Sequence, residues 1–335
     1  MYFSITDTKY AHNSCNNALT NPFRLRNEQQ IAGLLWYGGT VMTPPTPQFI
    51  SQTGAPLYPK VLYNRPITRS GGGRLLIVGG HSGEFSLPTA IHQFALAAGV
   101  GEATAVMPDK LAKFLGGAPG TAFAASTPSG SLDRAALGRI LELSEVADAV
   151  AIGASLSNNS NTAMLTERLI TEIERPVIIF DEGLVALRHH PTSFTDNPQA
   201  LVILTMAEVF KLCGSLSIGI NIRPHGGLVN KLEIVQNLAA ASTCAYAVYG
   251  TEIIIAAGAE LIVTPVNYRL SLTPALFYGT LSTFWLQNRT APTKGLATGA
   301  YLIAQAGASL GDTGRPSASG LAAALTQTLK QSEEF

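Results

Sequence analysis

The chain has 335 residues, of which 13% are Asp, Glu, Lys or Arg, against roughly 25% in an ordinary soluble protein. Its apolar share, 46%, is ordinary, so Gly, Ala, Ser and Thr stand where charge is missing, and the composition is not a disordered one. Twenty-two basic residues balance twenty-two acidic ones, which excludes the electrostatic footprint of a protein that binds nucleic acid or an anionic membrane surface. A surface this poor in charge predicts that part of it is buried in a homo-oligomer.

Residues 1–65 carry Pro44, Pro45, Pro47, Pro56 and Pro59 and read as a Pro-rich arm, with one amphipathic helix expected around Glu28 to Tyr37. Residues 66–335 read as one α/β domain. Its first strand is the apolar run Leu75 to Val78, followed by the turn Gly79-Gly80-His81-Ser82-Gly83, a helix from Pro88 to Ala98 closed by Gly99, and a strand from Ala103 to Met107. Ala147 to Ile152 is a further strand, followed by a Gly/Ser/Asn turn and a helix from Asn161 to Ile173. Strands are then expected at Pro176 to Phe180, Leu201 to Thr205, Ile253 to Ala257 and, returning beside the last, Ala259 to Val263. Helices are expected at Ala207 to Cys213, Val229 to Tyr249, Thr273 to Leu286, Gly295 to Gly307 and Ala318 to Lys330. Continuous apolar strands alternating with helices imply a mostly parallel central sheet covered on both faces, a three-layer α/β fold.

Three scattered cysteines, Cys15, Cys213 and Cys244, make neither a disulfide framework nor a Cys-based zinc site and point to a reducing compartment. The N-terminus lacks a basic start and apolar core, so a cytoplasmic location is expected. The charge-free stretch Leu270 to Asn288 holds Pro274, Gly279 and several hydroxyls, and reads as a buried helix rather than a membrane span.

Ligands of such sheets bind beyond the carboxyl ends of the strands, so the turns there are the candidates for chemistry. Gly80-His81-Ser82-Gly83-Glu84 nearly matches the Gly-x-Ser-x-Gly nucleophile elbow, but Glu84 stands where the strained turn needs a small residue. A glycine turn that lets the backbone approach a neighbour or ligand is the plainer reading. Gly153-Ala154-Ser155-Leu156-Ser157 opens a helix, so its amides suit an anion; the same residues suit an ordinary polar loop with Asn161 as the cap. Neither the Walker loop nor Gly-x-Gly-x-x-Gly occurs. Asp181 and Glu182, at a strand's carboxyl end, suit Mg²⁺ binding through water, a general base, or a helix cap. Glu208 starts a helix, where it favours the helix dipole. His189, His190 and His225 lie in loop contexts without a ligand cluster, so no metal site is expected.

The order of these segments resembles the ribokinase-like family of ADP- or ATP-dependent NAD(P)H-hydrate dehydratases, from about Ile67 to Leu329. Arg69-Ser70-Gly71-Gly72-Gly73-Arg74, the following strand and Gly79-Gly80-His81-Ser82 resemble its Lys-Gly-x-x-Gly-Arg, strand and Gly-Gly-Ser turn. Ala97-Ala98-Gly99-Val100-Gly101 is similar to its Ala-Gly-x-Gly break. Asp148 to Ser157 is similar to its Asp, strand and Gly-Pro-Gly-Leu-Gly, and Pro176 to Leu184 to its Pro, strand and Asp-Ala-Asp-Gly-Leu, with Glu182 in place of the second Asp. The resemblance implies ADP or ATP, NAD(P)H or its hydrate, and Mg²⁺ as ligands, with Gly79, Gly80, His81, Gly153, Ser155, Gly258 and Gly279 lining the cofactor site. It also implies a reaction in which a nucleotide phosphorylates the hydrated nicotinamide ring and phosphate then leaves.

The departures fall at the working positions. Thr205-Met206-Ala207-Glu208 replaces a Thr-Pro-His-Pro-Gly-Glu turn, Ala256-Ala257 replaces Lys-Gly, and Leu276-Phe277-Tyr278-Gly279 corresponds to Gly-x-Gly-Asp without the aspartate. The expectation is a diverged homologue with impaired or lost standard catalysis. The alternatives are a silent nucleotide-binding or oligomer-partner protein, or a small-molecule kinase whose base has moved to Glu182, Glu208 or Asp181.

Overall fold

The computed structural model describes residues 35–37, 40–42, 48–219, 227–266, 273–310 and 316–333. The chain divides into two units, residues 1–46 and 47–335. In the first, β1 (Leu35–Tyr37) and β2 (Thr40–Met42) pair antiparallel. The helix expected over 28–37 therefore gives way to strand at its last three residues; the rest of it lies outside the described residues.

The larger unit holds β3 (Ile50–Ser51), β4 (Arg74–Gly79), β5 (Glu102–Pro108), β6 (Thr121–Ala124), β7 (Ala149–Ala154), β8 (Val177–Ile179), β9 (Ala200–Thr205), β10 (Ala245–Tyr249), β11 (Glu252–Ala257) and β12 (Glu260–Pro265). Its helices are α1 (Pro59–Tyr63), α2 (Ser86–Ala97), α3 (Ala112–Leu115), α4 (Leu137–Glu145), α5 (Ser160–Glu172), α6 (Glu182–Ala186), α7 (Thr192–Thr195), α8 (Met206–Ser215), α9 (Leu228–Ala240), α10 (Pro274–Gln287), α11 (Pro292–Ser309) and α12 (Ala318–Glu333). One ten-stranded sheet runs in the order β3-β12-β11-β10-β9-β8-β7-β4-β5-β6. Every strand points the same way except β11, which is antiparallel to both neighbours.

The sheet is buried on both faces, and the period-2 alternation of a strand divides its side chains between two cores. In β4, Leu75 and Ile77 face the first core while Leu76 and Val78 face the second. The first core is covered by α2, α10, α11 and α12, the second by α4, α5, α8 and α9. This is the three-layer α/β architecture expected of continuous apolar strands. Residues 48–65, which the sequence places in the arm, lie within the larger unit: β3 pairs with β12, and Leu62 of α1 is part of the first core.

A second expected helix is also corrected. The run from Val229 to Tyr249 is helical only to Ala240, and its last five residues form β10 between β9 and β11. The break falls at Ser242-Thr243-Cys244, where the amides of Thr243 and Cys244 both donate to the Thr195 carbonyl, at 2.8 and 3.2 Å. The charge-free stretch near 274–287 is α10, whose residues 275–286 are all buried. Among the described residues no helix is long and apolar enough to cross a membrane.

Candidate functional site

Because β4, β7, β8, β9 and β10 are parallel, the turns that follow them share one edge of the sheet. Gly79, Gly80, His81, Gly153, Ser155, Asp181, Glu182 and Glu208 all belong to these strand ends or the turns just beyond them. The Gly80 amide donates to the Ala154 carbonyl at 2.6 Å, tying the β4 turn to the end of β7. Gly153 has φ +138, and a Cβ there would sit 1.7 Å from the Phe180 carbonyl oxygen. Only glycine lets the β7 and β8 turns come this close. Two non-glycine residues beside it hold positive φ, Ser155 at 51° and Asp181 at 54°, a conformation that costs energy and concentrates at functional sites.

The close approach half-buries Glu182 and leaves its Oε2 without a hydrogen-bond partner. Burial, then the hydrogen bond and charge of Asp181, push the Glu182 carboxyl up to about 8. Glu182 therefore keeps its proton through the neutral range. Glu208 is committed differently. Thr205 caps α8 and Glu208 closes a capping box, its Oε2 accepting from the Thr205 amide at 2.6 Å and the Thr205 hydroxyl at 2.8 Å.

Beside these carboxylates stands an aromatic group that sequence reasoning missed. Phe180 stacks on Tyr278 of α10, with ring centroids 4.1 Å apart, and Tyr249 at the end of β10 stacks on Phe277 at 4.6 Å. The Tyr249 and Tyr278 hydroxyls are 2.9 Å apart. Burial pushes Tyr249 up to about 12, against the relief of that hydrogen bond, and also raises Tyr278; the negative charge of Asp181 and Glu208 raises both further. The available signal was the pair Phe277-Tyr278 at the head of an apolar helix; Tyr249 was hidden in a run read as helix.

Two expected site residues are elsewhere. Gly258 lies in the β11–β12 hairpin, and because β11 runs against its neighbours this turn is at the opposite edge of the sheet: Tyr249 pairs with Ile253, Tyr246 with Ala256, and Gly258 lies beyond. Gly279 is inside α10, where a Cβ would be 2.7 Å from the Ile91 carbonyl oxygen and 2.8 Å from the Ala95 nitrogen of α2. It is a helix-packing glycine. A hole of free amides belongs to a helix start, and α10 starts at Pro274 with Thr273 as its cap. Any equivalent of Gly-x-Gly-Asp must therefore fall near Thr273 to Ala275. The aspartate is absent in either register, because the sequence has no Asp or Glu between Glu260 and Asp312.

Other expected residues fall into structural roles. Asn159, not Asn161, caps α5, its Oδ1 accepting from the Thr162 amide at 2.9 Å, while Asn161 donates to Asp133. The Ser82 hydroxyl donates to the Ser129 carbonyl at 3.0 Å. His81 Nδ1 accepts the Gly83 amide at 3.1 Å. Arg188 Nε donates to His189 Nε2 at 2.9 Å in an exposed loop. His225 lies outside the described residues. Among the described residues no group of three or more His, Cys, Asp or Glu could hold a metal ion.

At the start of α10, Thr273 makes no side-chain cap bond, and its hydroxyl oxygen is buried without a partner. Pro274 has no N–H and the Leu276 amide donates to the Thr273 carbonyl at 3.1 Å, so the Ala275 amide and the Thr273 hydroxyl are the donors this helix start offers a phosphate. For Mg²⁺, which keeps waters and needs only one or two protein carboxylates beside phosphate oxygens, Asp181 and Glu182 are the donors present.

No protein-family model matches the chain. It is 28% identical over 173 residues to a bifunctional NAD(P)H-hydrate repair enzyme of Salinibacter ruber, covering 50% of this chain and 30% of that protein. It is 34% identical over 158 residues to the enzyme of the same description from Thermofilum pendens, covering 43% and 30%. The matched stretch thus spans under a third of these relatives' length. A ribokinase-like superfamily protein of Enterococcus faecalis superposes with a TM-score of 0.69 at 15% identity, over 86% of this chain and 97% of that one. An ADP/ATP-dependent NAD(P)H-hydrate dehydratase of Bacillus subtilis, co-crystallised with ATP and Mg²⁺, gives 0.59 at 15%, over 83% and 99%. The fold is ribokinase-like, and the chain is a distant relative in sequence of the NAD(P)H-hydrate repair enzymes.

Proposed function

We propose that this chain is a diverged NAD(P)H-hydrate dehydratase homologue that binds a nucleotide or dinucleotide at the carboxyl edge of its sheet and has impaired standard catalysis. The observation that carries this reading is the absence of any carboxylate from Leu261 to Gly311, the segment that contains the start of α10. The start of α10, where no side chain caps the helix and the Thr273 hydroxyl is buried without a partner, suits a nucleotide's phosphate, and Asp181 and Glu182 suit its Mg²⁺. When bound, a nucleotide would supply the phosphoryl group of the relatives' reaction. Of the stacked aromatics at this edge, Phe180, Tyr278 and Phe277 are buried in the first core, and the half-buried Tyr249 is the one left to meet a base or nicotinamide ring. Without an acid–base group the transfer is expected to be slower by about a hundredfold or more.

Thermal shift with ADP, ATP, NADH and NADPH, beside nucleotide-dependent recovery of NADH absorbance from hydrated NADH, tests this. The expected result is a shift with at least one nucleotide and recovery far below an ordinary enzymatic rate. Ordinary recovery overturns the impaired reading, and no shift with any nucleotide overturns the binding one. A second reading, an active enzyme with a relocated acid–base group, is favoured by one feature, the unpartnered Oε2 of Glu182 beside Asp181; it requires recovery that Glu182→Gln abolishes. The low charge of the chain supports assembly as a homo-oligomer, which a sedimenting monomer at micromolar concentration argues against, and its three scattered cysteines fit a reducing, cytoplasmic setting.

A further inference from the structure

We propose that a cavity between α6 and α8 binds a small organic acid, a compact apolar body carrying one carboxylate. The cavity measures about 360 Å³, in the lower part of the roughly 300–1,000 Å³ range of small-ligand pockets. Phe194, Leu204 and Leu212, none more than 8% exposed, are among its lining. Leu184 and Val185 of α6 form one wall, and Val185 is left 41% exposed. Apolar lining of this kind gains from covering by an apolar body.

Two cations stand at the mouth, Arg188 just past α6 and Lys211 on α8. Neither is in the ion pairs found among the described residues. Arg188 engages His189 through Nε alone, which leaves its terminal nitrogens for a carboxylate. Glu208 also borders the cavity, but its Oε2 is turned to the Thr205 amide and hydroxyl, so the mouth is net positive. A neutral ring would leave both cations unanswered, and inorganic phosphate would leave the apolar walls wet.

The cavity adjoins the candidate site, sharing Glu208 and the helix that starts at Glu182, but it lies on the other face of the sheet from the buried aromatic rings. Phe180 and Tyr278 belong to the first core, whereas Phe194, Leu204 and Leu212 belong to the second, across the sheet. The inference therefore does not rest on the nucleotide reading.

Calorimetric titration of the full chain with benzoate, and with benzamide as its neutral counterpart, tests it. Benzoate should bind saturably at one site per chain, at least about tenfold more tightly than benzamide, and about tenfold more weakly to the Arg188→Gln/Lys211→Gln double variant. Both substituted side chains are exposed, so the variant should melt with the wild type. Val185→Trp, which fills the mouth, should abolish binding with nucleotide shifts unchanged. No saturable binding in the millimolar range, equal affinity for benzamide, or unaltered affinity in the double variant overturns the proposal.

Discussion

Glu182 is the residue through which pH should act most directly on the fold. Its carboxyl is raised from an ordinary 4.5 to about 8 by burial and by Asp181. Between these values the unfolded chain has lost a proton that the folded chain keeps, so stability falls as pH rises from about 4.5 to about 8. Glu182→Gln removes that proton exchange and should flatten this part of the profile, so that the variant gains on wild type toward pH 8; urea midpoints measured across this range check it. Gly279 yields a prediction of the opposite kind. Restoring the missing aspartate as Gly279→Asp should not restore chemistry, because the new side chain meets the α2 backbone. The substitution should cost about 3 kcal/mol through overpacking, read as a lowered melting temperature with no rise in nucleotide-dependent turnover.

Among the elements, α8 is the one whose cap and candidate chemistry share a residue. Glu208 closes the capping box with Thr205, and Glu208→Ala should therefore destabilise the protein by about 1 kcal/mol. Chemical denaturation of this variant should show a lower midpoint, and any effect of it on binding has to be compared at matched folded fraction. Asn159→Ala, which removes the α5 cap, should cost a similar ~1 kcal/mol and leave ligand binding unchanged. The strands that build the candidate site were legible in the sequence because runs such as Leu75 to Val78 and Leu201 to Leu204 are buried on both faces and bounded by turns. β10 was not, because a doubly buried strand and a buried helix both read as continuous apolar sequence, and Leu228 to Tyr249 contains one of each. That single misreading concealed Tyr249 and, with it, the aromatic side of the site. The carboxylates at Asp181 and Glu182 were legible from their place at a strand end. The raised carboxyl of Glu182 was not, since its burial depends on Gly153 bringing β7 against β8.

At the scale of the whole molecule, the stretch before the first long strand is bound to the far end of the sheet by one buried side chain. Gln52, 2% exposed, donates through Nε2 to the Thr264 hydroxyl at 2.9 Å and the Ala297 carbonyl at 2.8 Å, and its Oε1 accepts the Leu57 amide at 3.0 Å. These bonds join residues 212 and 245 positions apart in the chain, linking the β3 edge, β12 and α11. Gln52→Ala leaves a hydroxyl, a carbonyl and an amide without their partner in a buried setting, where each unsatisfied group costs on the order of 1–3 kcal/mol. Water entering the vacated space recovers part of this, so a net loss of about 2–3 kcal/mol is expected, enough to shift a urea midpoint clearly. Leu62→Ala, which opens a cavity in the first core a few residues later, should cost about 2–4 kcal/mol. If residues 48–65 were a loose lead-in, neither substitution would move the midpoint. If they are part of the sheet and core as the pairing of β3 with β12 requires, both lower it.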